Sequence, residues 1–142
     1  MNSDDAFDEM VESIRREIEH RDKRDFSETV LRESQNPGNM GVIDQPDGVG
    51  EITGPCGDTM RFYLKFGDGT ILEAKFVTDG CGPTVACGSM LTRMVAGKDL
   101  AGALSITHAD LLEALDGLPE EHRHCAELAV AALRRAISHR RR

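Results

Sequence analysis

The chain has 142 residues and a net charge of −8, with 25 acidic against 17 basic side chains. That length suffices for one domain with a real core, and that charge excludes binding to a nucleic-acid backbone as the main task. The opening residues Met1-Asn2-Ser3-Asp4-Asp5 are acidic and lack the apolar stretch of a secretory signal, and no apolar run approaches bilayer-spanning length. The expectation is a cytoplasmic protein without a membrane partner. In such a reducing compartment, the four cysteines point to metal binding or thiol chemistry rather than disulfides.

Residues 4–24 carry Phe7, Met10, Val11, Ile14 and Ile18 at helical spacing, with acids early and bases late, and predict an amphipathic N-terminal helix. It is expected to pack on its own domain; the other reading is an arm that meets a partner. Residues 26–33 predict a second short helix. Asn36-Pro37-Gly38-Asn39-Met40-Gly41 and Gln45-Pro46-Asp47-Gly48 are turn residues, and residues 49–53 predict a first strand. Gly54-Pro55-Cys56-Gly57-Asp58 is a tight turn. Beyond it Met60, Phe62, Leu64 and Phe66 alternate with Arg61, Tyr63 and Lys65, the pattern of a half-buried strand. Gly67-Asp68-Gly69 reverses the chain, and Leu72, Ala74 and Phe76 are expected on the inner face of the returning strand. Antiparallel pairing then brings the Cys56 turn and the Thr78-Asp79-Gly80-Cys81 turn to the same end of the sheet.

A helix begins at Pro83 and ends at Gly97, with Val85, Ala86, Leu91, Met94 and Val95 suitably spaced. Gly80 and Gly82 flank Cys81 and are expected to supply positive φ and room around the sulfur. Pro83 suits the first helical position, and a helix start favours thiolate over thiol at Cys81. Short helices are predicted over 100–104 and 109–115, the second with Thr107 as N-cap. Gly117-Leu118-Pro119 breaks the chain. Glu120 and Glu121 are expected to open a last helix running to about residue 139, with Cys125, Leu128, Ala129, Ala132, Leu133 and Ala136 on one face. The cations of Arg134-Arg135 and of His139 to Arg142 complement the dipole at its end, or form a docking patch. The fold class is α+β: a small three-stranded antiparallel sheet covered by helices.

Three segments thus offer soft or borderline ligands: Cys56 with Asp58, Cys81, and His124 with Cys125. Three thiolates with an imidazole or carboxylate suit zinc or cluster iron. The chain has no CxxC pair, so a zinc ribbon or thioredoxin-like motif does not apply. Cys87, inside the helix after Cys81, is either a small packing residue or a spare ligand or sulfur carrier. His20, His108, His122 and His139 are expected at the surface.

Taken together, Asn36 to Gly41, Gly54 to Asp58, Asp79-Gly80-Cys81-Gly82, Gly97-Lys98 with Leu100, and Leu118-Pro119 followed by His124-Cys125 resemble the IscU/NifU-type iron–sulfur cluster assembly scaffold family, over about residues 26–139. The resemblance implies a helical extension over 1–25 and a scaffold domain similar to the NifU N-terminal domain over 26–142. It implies a non-enzymatic protein that accepts sulfur from a cysteine desulfurase, builds a [2Fe–2S] cluster with iron, and passes it to apo iron–sulfur acceptor proteins. Cys56, Cys81 and Cys125 would be ligands and sulfur acceptors, Asp58 the family's functional aspartate, and His124 its alternative ligand; zinc also fits such a site. The family's docking segment for an Hsp70-type chaperone reads Leu-Pro-Pro-Val-Lys. Here it is Leu118-Pro119-Glu120-Glu121-His122, with the charge reversed, so that chaperone is not expected as a strong partner. Cys87 stands where the common form has serine. The chain is similar as well to the SufU-type zinc-dependent sulfurtransferases, in which Cys56, Asp58 and Cys125 would hold zinc and Cys81 would carry persulfide sulfur. Those carry an insertion between the second and third site cysteines for which this chain has no room.

Overall fold

The protein is described by a computed structural model over residues 6–14 and 26–140. In chain order it runs α1 (6–14), α2 (Glu28–Gln35), β1 (Gly48–Thr53), β2 (Thr59–Gly67), β3 (Thr70–Thr78), α3 (Gly82–Val95), α4 (Leu100–Leu104), α5 (His108–Ala114), a single 3-10 turn (Glu120–His122) and α6 (His124–Ser138). The strands form one antiparallel sheet in the order β1-β2-β3. The architecture is the α+β fold the sequence predicts. No helix among the described residues is long and apolar enough to cross a membrane.

The β2–β3 reversal is tighter than expected. Only Asp68 and Gly69 lie between the strands, both at positive φ (55° and 78°), the signature of a two-residue hairpin whose twist matches its strands. A bulge between Lys65 and Phe66 shifts the pairing, so Phe66 faces Ile71 and Lys65 faces Glu73. One extra residue in a ladder changes which side chains share a face. Ile71 is therefore fully buried, and Leu72, expected inside, is 63% exposed. Tyr63 is also buried, on the face expected to be polar, where its hydroxyl accepts from Arg61. The free edge of β3 is covered by the 39–41 loop: Phe76 donates to the Asn39 carbonyl and accepts from the Gly41 N–H.

The core lies between the inner face of the sheet and helices α3 and α6, centred on Met60, Phe62, Leu64, Phe76, Leu91, Leu133 and Ile137. Each such side chain contributes about 1.5–3 kcal/mol on burial. Two close approaches fix the helices. A Cβ on Gly50 would collide with the backbone of Ala132 and Ala136, so β1 carries glycine because α6 lies directly on it; Gly88 of α3 meets the Phe76 ring in the same way.

Three expectations need correction. Glu120 and Glu121 do not open the last helix. They sit in the 3-10 turn, and α6 starts at His124, because His122 donates to the Pro119 carbonyl in a tighter i→i+3 turn. His122 is not simply a surface residue: it is half-buried, its ring 5.4 Å from that of Phe26. In α1, Phe7, Met10, Val11 and Ile14 are exposed, so this part of the helix is not packed on the domain as expected; the remainder of the 4–24 segment, Ile18 and His20 included, lies outside the described residues.

Candidate functional site

Three chain reversals meet at one end of the sheet. The first joins β1 to β2. Gly54 and Asp58 close it with a backbone hydrogen bond of 2.8 Å, and Gly57, at φ +92°, lets it turn immediately after Cys56. The second joins β3 to α3. It is tied to the first because Asp79 accepts from the Thr59 N–H at 2.7 Å and the Thr78 hydroxyl donates to the Thr59 carbonyl at 2.6 Å. The third is the start of α6.

Cys81 is the N-cap of α3 and exposed, with Gly82 at the first helical position and Pro83 next. Neither Gly80 nor Gly82 takes positive φ, so the expected conformational reason for them does not hold. Space is the reason at Gly80: a Cβ there would lie 2.7 Å from the side chain of Thr84. Cys56 is exposed, Asp58 and His124 are half-buried, and Cys125 is 1% exposed in the first turn of α6.

These side chains are brought together. His124 Nε2 lies 3.3 Å from the sulfur of Cys56 and 3.8 Å from that of Cys125. The Thr84 hydroxyl lies 3.3 Å from Cys125 Sγ and donates to Asp58 Oδ2 at 3.4 Å. Burial pushes the Cys125 thiol above its ordinary range; the Thr84 hydroxyl opposes this, and the nearby charges of Cys81, Cys56 and Asp58 add to it. Each of those groups therefore lies within electrostatic reach of Cys125. Among the described residues no three Cys, His, Asp or Glu side chains already stand closed as a metal cage. The arrangement is an open set of three thiols, an imidazole and a carboxylate.

Cys87 lies outside this set. It is fully buried, and burial, reinforced by Cys125, pushes its thiol far above the ordinary 9.0. Thr84 is the residue that sequence reasoning missed. Its only signal is its place three residues after Cys81, which puts both on one side of the helix start.

A soft-ligand set of this kind, at one end of a small α+β frame, has the donor chemistry that suits a thiophilic metal. The chain belongs to the NifU-like N terminal domain family, which matches residues 25–142. Among relatives, an iron–sulfur cluster assembly scaffold protein IscU 1 of Archaeoglobus fulgidus is 47% identical over 113 residues, 79% of this chain and 74% of that protein. The iron–sulfur cluster assembly scaffold protein IscU of Escherichia coli K12 is 40% identical over 118 residues, 80% of this chain and 91% of that one. The crystal structure of a scaffold candidate for the SUF system from Fervidobacterium islandicum superimposes with a TM-score of 0.67 at 20% identity, over 79% of this chain and 96% of that one. That likeness is one of fold.

Proposed function

We propose that this protein is an assembly scaffold for iron–sulfur clusters, in which Cys56, Cys81 and Cys125 hold the growing cargo, Asp58 completes the set and His124 is the alternative fourth ligand. The observation that carries the reading is the His124 ring standing between the sulfurs of Cys56 and Cys125, at 3.3 and 3.8 Å. Family membership and relatives named as assembly scaffolds support it. The cargo is a [2Fe–2S] cluster built from iron and from sulfur delivered by a cysteine desulfurase, then passed to apo iron–sulfur proteins in the cytoplasm. The scaffold domain comprises residues 26–142, and residues 1–25 form an extension. Zinc also fits the same donors.

The residues divide the work by position. Exposed Cys56 and Cys81 can reach a partner's sulfur, whereas buried Cys125 grips the cargo from inside. Glu120 and Glu121 are exposed on the 3-10 turn, and their charge disfavours an Hsp70-type chaperone as a tight partner. The test is anaerobic reconstitution with ferrous iron, cysteine, a cysteine desulfurase and a thiol reductant such as dithiothreitol, which supplies the electrons that take persulfide sulfur to sulfide, followed by visible absorption and Mössbauer spectroscopy. A [2Fe–2S] signature is expected, sharply reduced in Cys56→Ser, Cys81→Ser and Cys125→Ser, because a hydroxyl ionises poorly and is a hard donor. Wild-type cluster yield in all three variants would overturn the assignment; zinc retention with persulfide on Cys81 and no cluster would favour the sulfurtransferase reading.

A further inference from the structure

Thr84 is a hydroxyl residue with no exposed surface, one turn into α3. Hydroxyls in helices usually turn back to a carbonyl of the preceding turn, as Ser34 does to Leu31 and Thr92 to Ser89. The Thr84 hydroxyl instead reaches two distant segments, Asp58 in the β1–β2 turn and Cys125 at the start of α6.

The helix start is arranged for this. Cys81 and Thr84 occupy the N-cap and third helical positions, the pair that closes a capping box on α5 through Thr107 and Asp110. On α3 no side-chain cap bond forms. Both side chains are left for other work. Gly80 keeps the space clear, since a Cβ there would lie 2.7 Å from Thr84 Cβ and Cγ2 and 2.8 Å from its hydroxyl oxygen.

We propose that Thr84 is a positioning residue of the ligand site, its hydroxyl bracketing the Asp58 carboxylate and the Cys125 sulfur so that both are presented to one metal ion. The proposal rests on the reading of Asp58 and Cys125 as ligands. An ionised carboxylate and a thiolate only accept, so the single Thr84 hydroxyl proton is offered to Asp58 on one side and to the Cys125 sulfur on the other. One side chain thereby fixes two ligands that come from segments 67 residues apart in the chain. The bracket belongs to the side chain's polar atom, not to its shape, and that distinction is testable.

The reduced, metal-free full chain is titrated anaerobically with Co²⁺. Sulfur-to-cobalt charge transfer counts thiolate ligands, and the d–d bands report coordination geometry. Thr84→Val keeps the shape without the hydroxyl. It should weaken Co²⁺ binding by about tenfold, the low end for a residue that orients a ligand, and shift the d–d bands. Thr84→Ser should restore affinity and bands. Wild-type affinity and bands in Thr84→Val would overturn the proposal. So would a loss in Thr84→Val that Thr84→Ser reproduces, because packing would then be the cause. Cys125→Ser separates the two levels: a lost thiolate contribution supports the ligand on which Thr84 acts, whereas an unchanged spectrum overturns the ligand reading itself.

Discussion

Cys87 and Cys125 are both buried, but Thr84 and His124 stand beside Cys125, whereas Cys87 lies on α3 among core residues. In the folded protein Cys87 keeps its proton to higher pH than in the unfolded chain, where the thiol titrates near 9.0. Unfolding above that pH releases a proton, so the stabilisation is complete below about pH 9 and is lost as pH rises further. Denaturant titrations of the metal-free protein between pH 7 and 10.5 should show an alkaline decline that Cys87→Ala flattens, at a cost of about 1 kcal/mol at neutral pH from the lost packing. An unchanged decline in Cys87→Ala would place the titrating group elsewhere. Asp58 has the opposite character: half-buried, and a hard oxygen donor among soft sulfurs. Hard oxygen suits cluster iron poorly, so under the proposed ligation Asp58 is the member an incoming acceptor thiolate would displace first. Asp58→Cys should therefore hold the cluster more tightly and donate it more slowly to an apo-ferredoxin. Equal transfer rates from equally loaded wild type and variant would leave Asp58 a turn residue.

At the scale of elements, the seat of α6 on β1 governs the site, because α6 carries both His124 and Cys125 at its first turn. Gly50→Ala would drive a methyl into the α6 backbone at Ala132 and Ala136, and neither side of that contact is a flexible side chain. Overpacking of this kind costs about 1–3 kcal/mol. The expected outcome is a lower melting temperature together with weaker Co²⁺ binding, while Gly57→Ala, at an open turn position where nothing lies near the new methyl, should leave α6 in place and cost only local strain. A Gly50→Ala protein as stable as wild type would mean that α6 does not need so close a seat. Much of this frame is legible from residues alone. The Met60–Phe62–Leu64 alternation declares β2, and turn residues around Cys56 and Cys81 declare two reversals that hairpin pairing must bring together. Other features are not legible because their causes are non-local. The bulge at Lys65/Phe66 that turns Leu72 outward is a property of the β2–β3 pairing and not of either strand's own sequence. The true start of α6 depends on a backbone bond to the Pro119 carbonyl. Thr84 reads as an ordinary helical threonine until Asp58 and Cys125 arrive beside it from other parts of the chain.

In the molecule as a whole, all the candidate ligands lie at one end of the sheet, and the opposite end is closed by the Asp68-Gly69 hairpin, where Ile71 donates to the Lys98 carbonyl and accepts from the Gly97 N–H. Depth is graded at the ligand end. Cys56 and Cys81 stand outermost, His124 and Asp58 lie between, and Cys125 closes the back against the core. Of the candidate ligands only Cys56 and Cys81 are exposed. Under the proposed function a sulfur donor and a cluster acceptor would both come to these two sulfurs, and each would exclude the other. The scaffold would then be a dock with one berth, with loading and delivery alternating in time. Excess desulfurase should slow transfer from the preloaded protein to an apo-ferredoxin, and added acceptor should relieve that slowing competitively. Transfer indifferent to desulfurase concentration would require a second approach. With a single berth, the steady yield of delivered clusters depends on how fast the first visitor departs, so a tighter grip by the donor lowers output even as it improves loading.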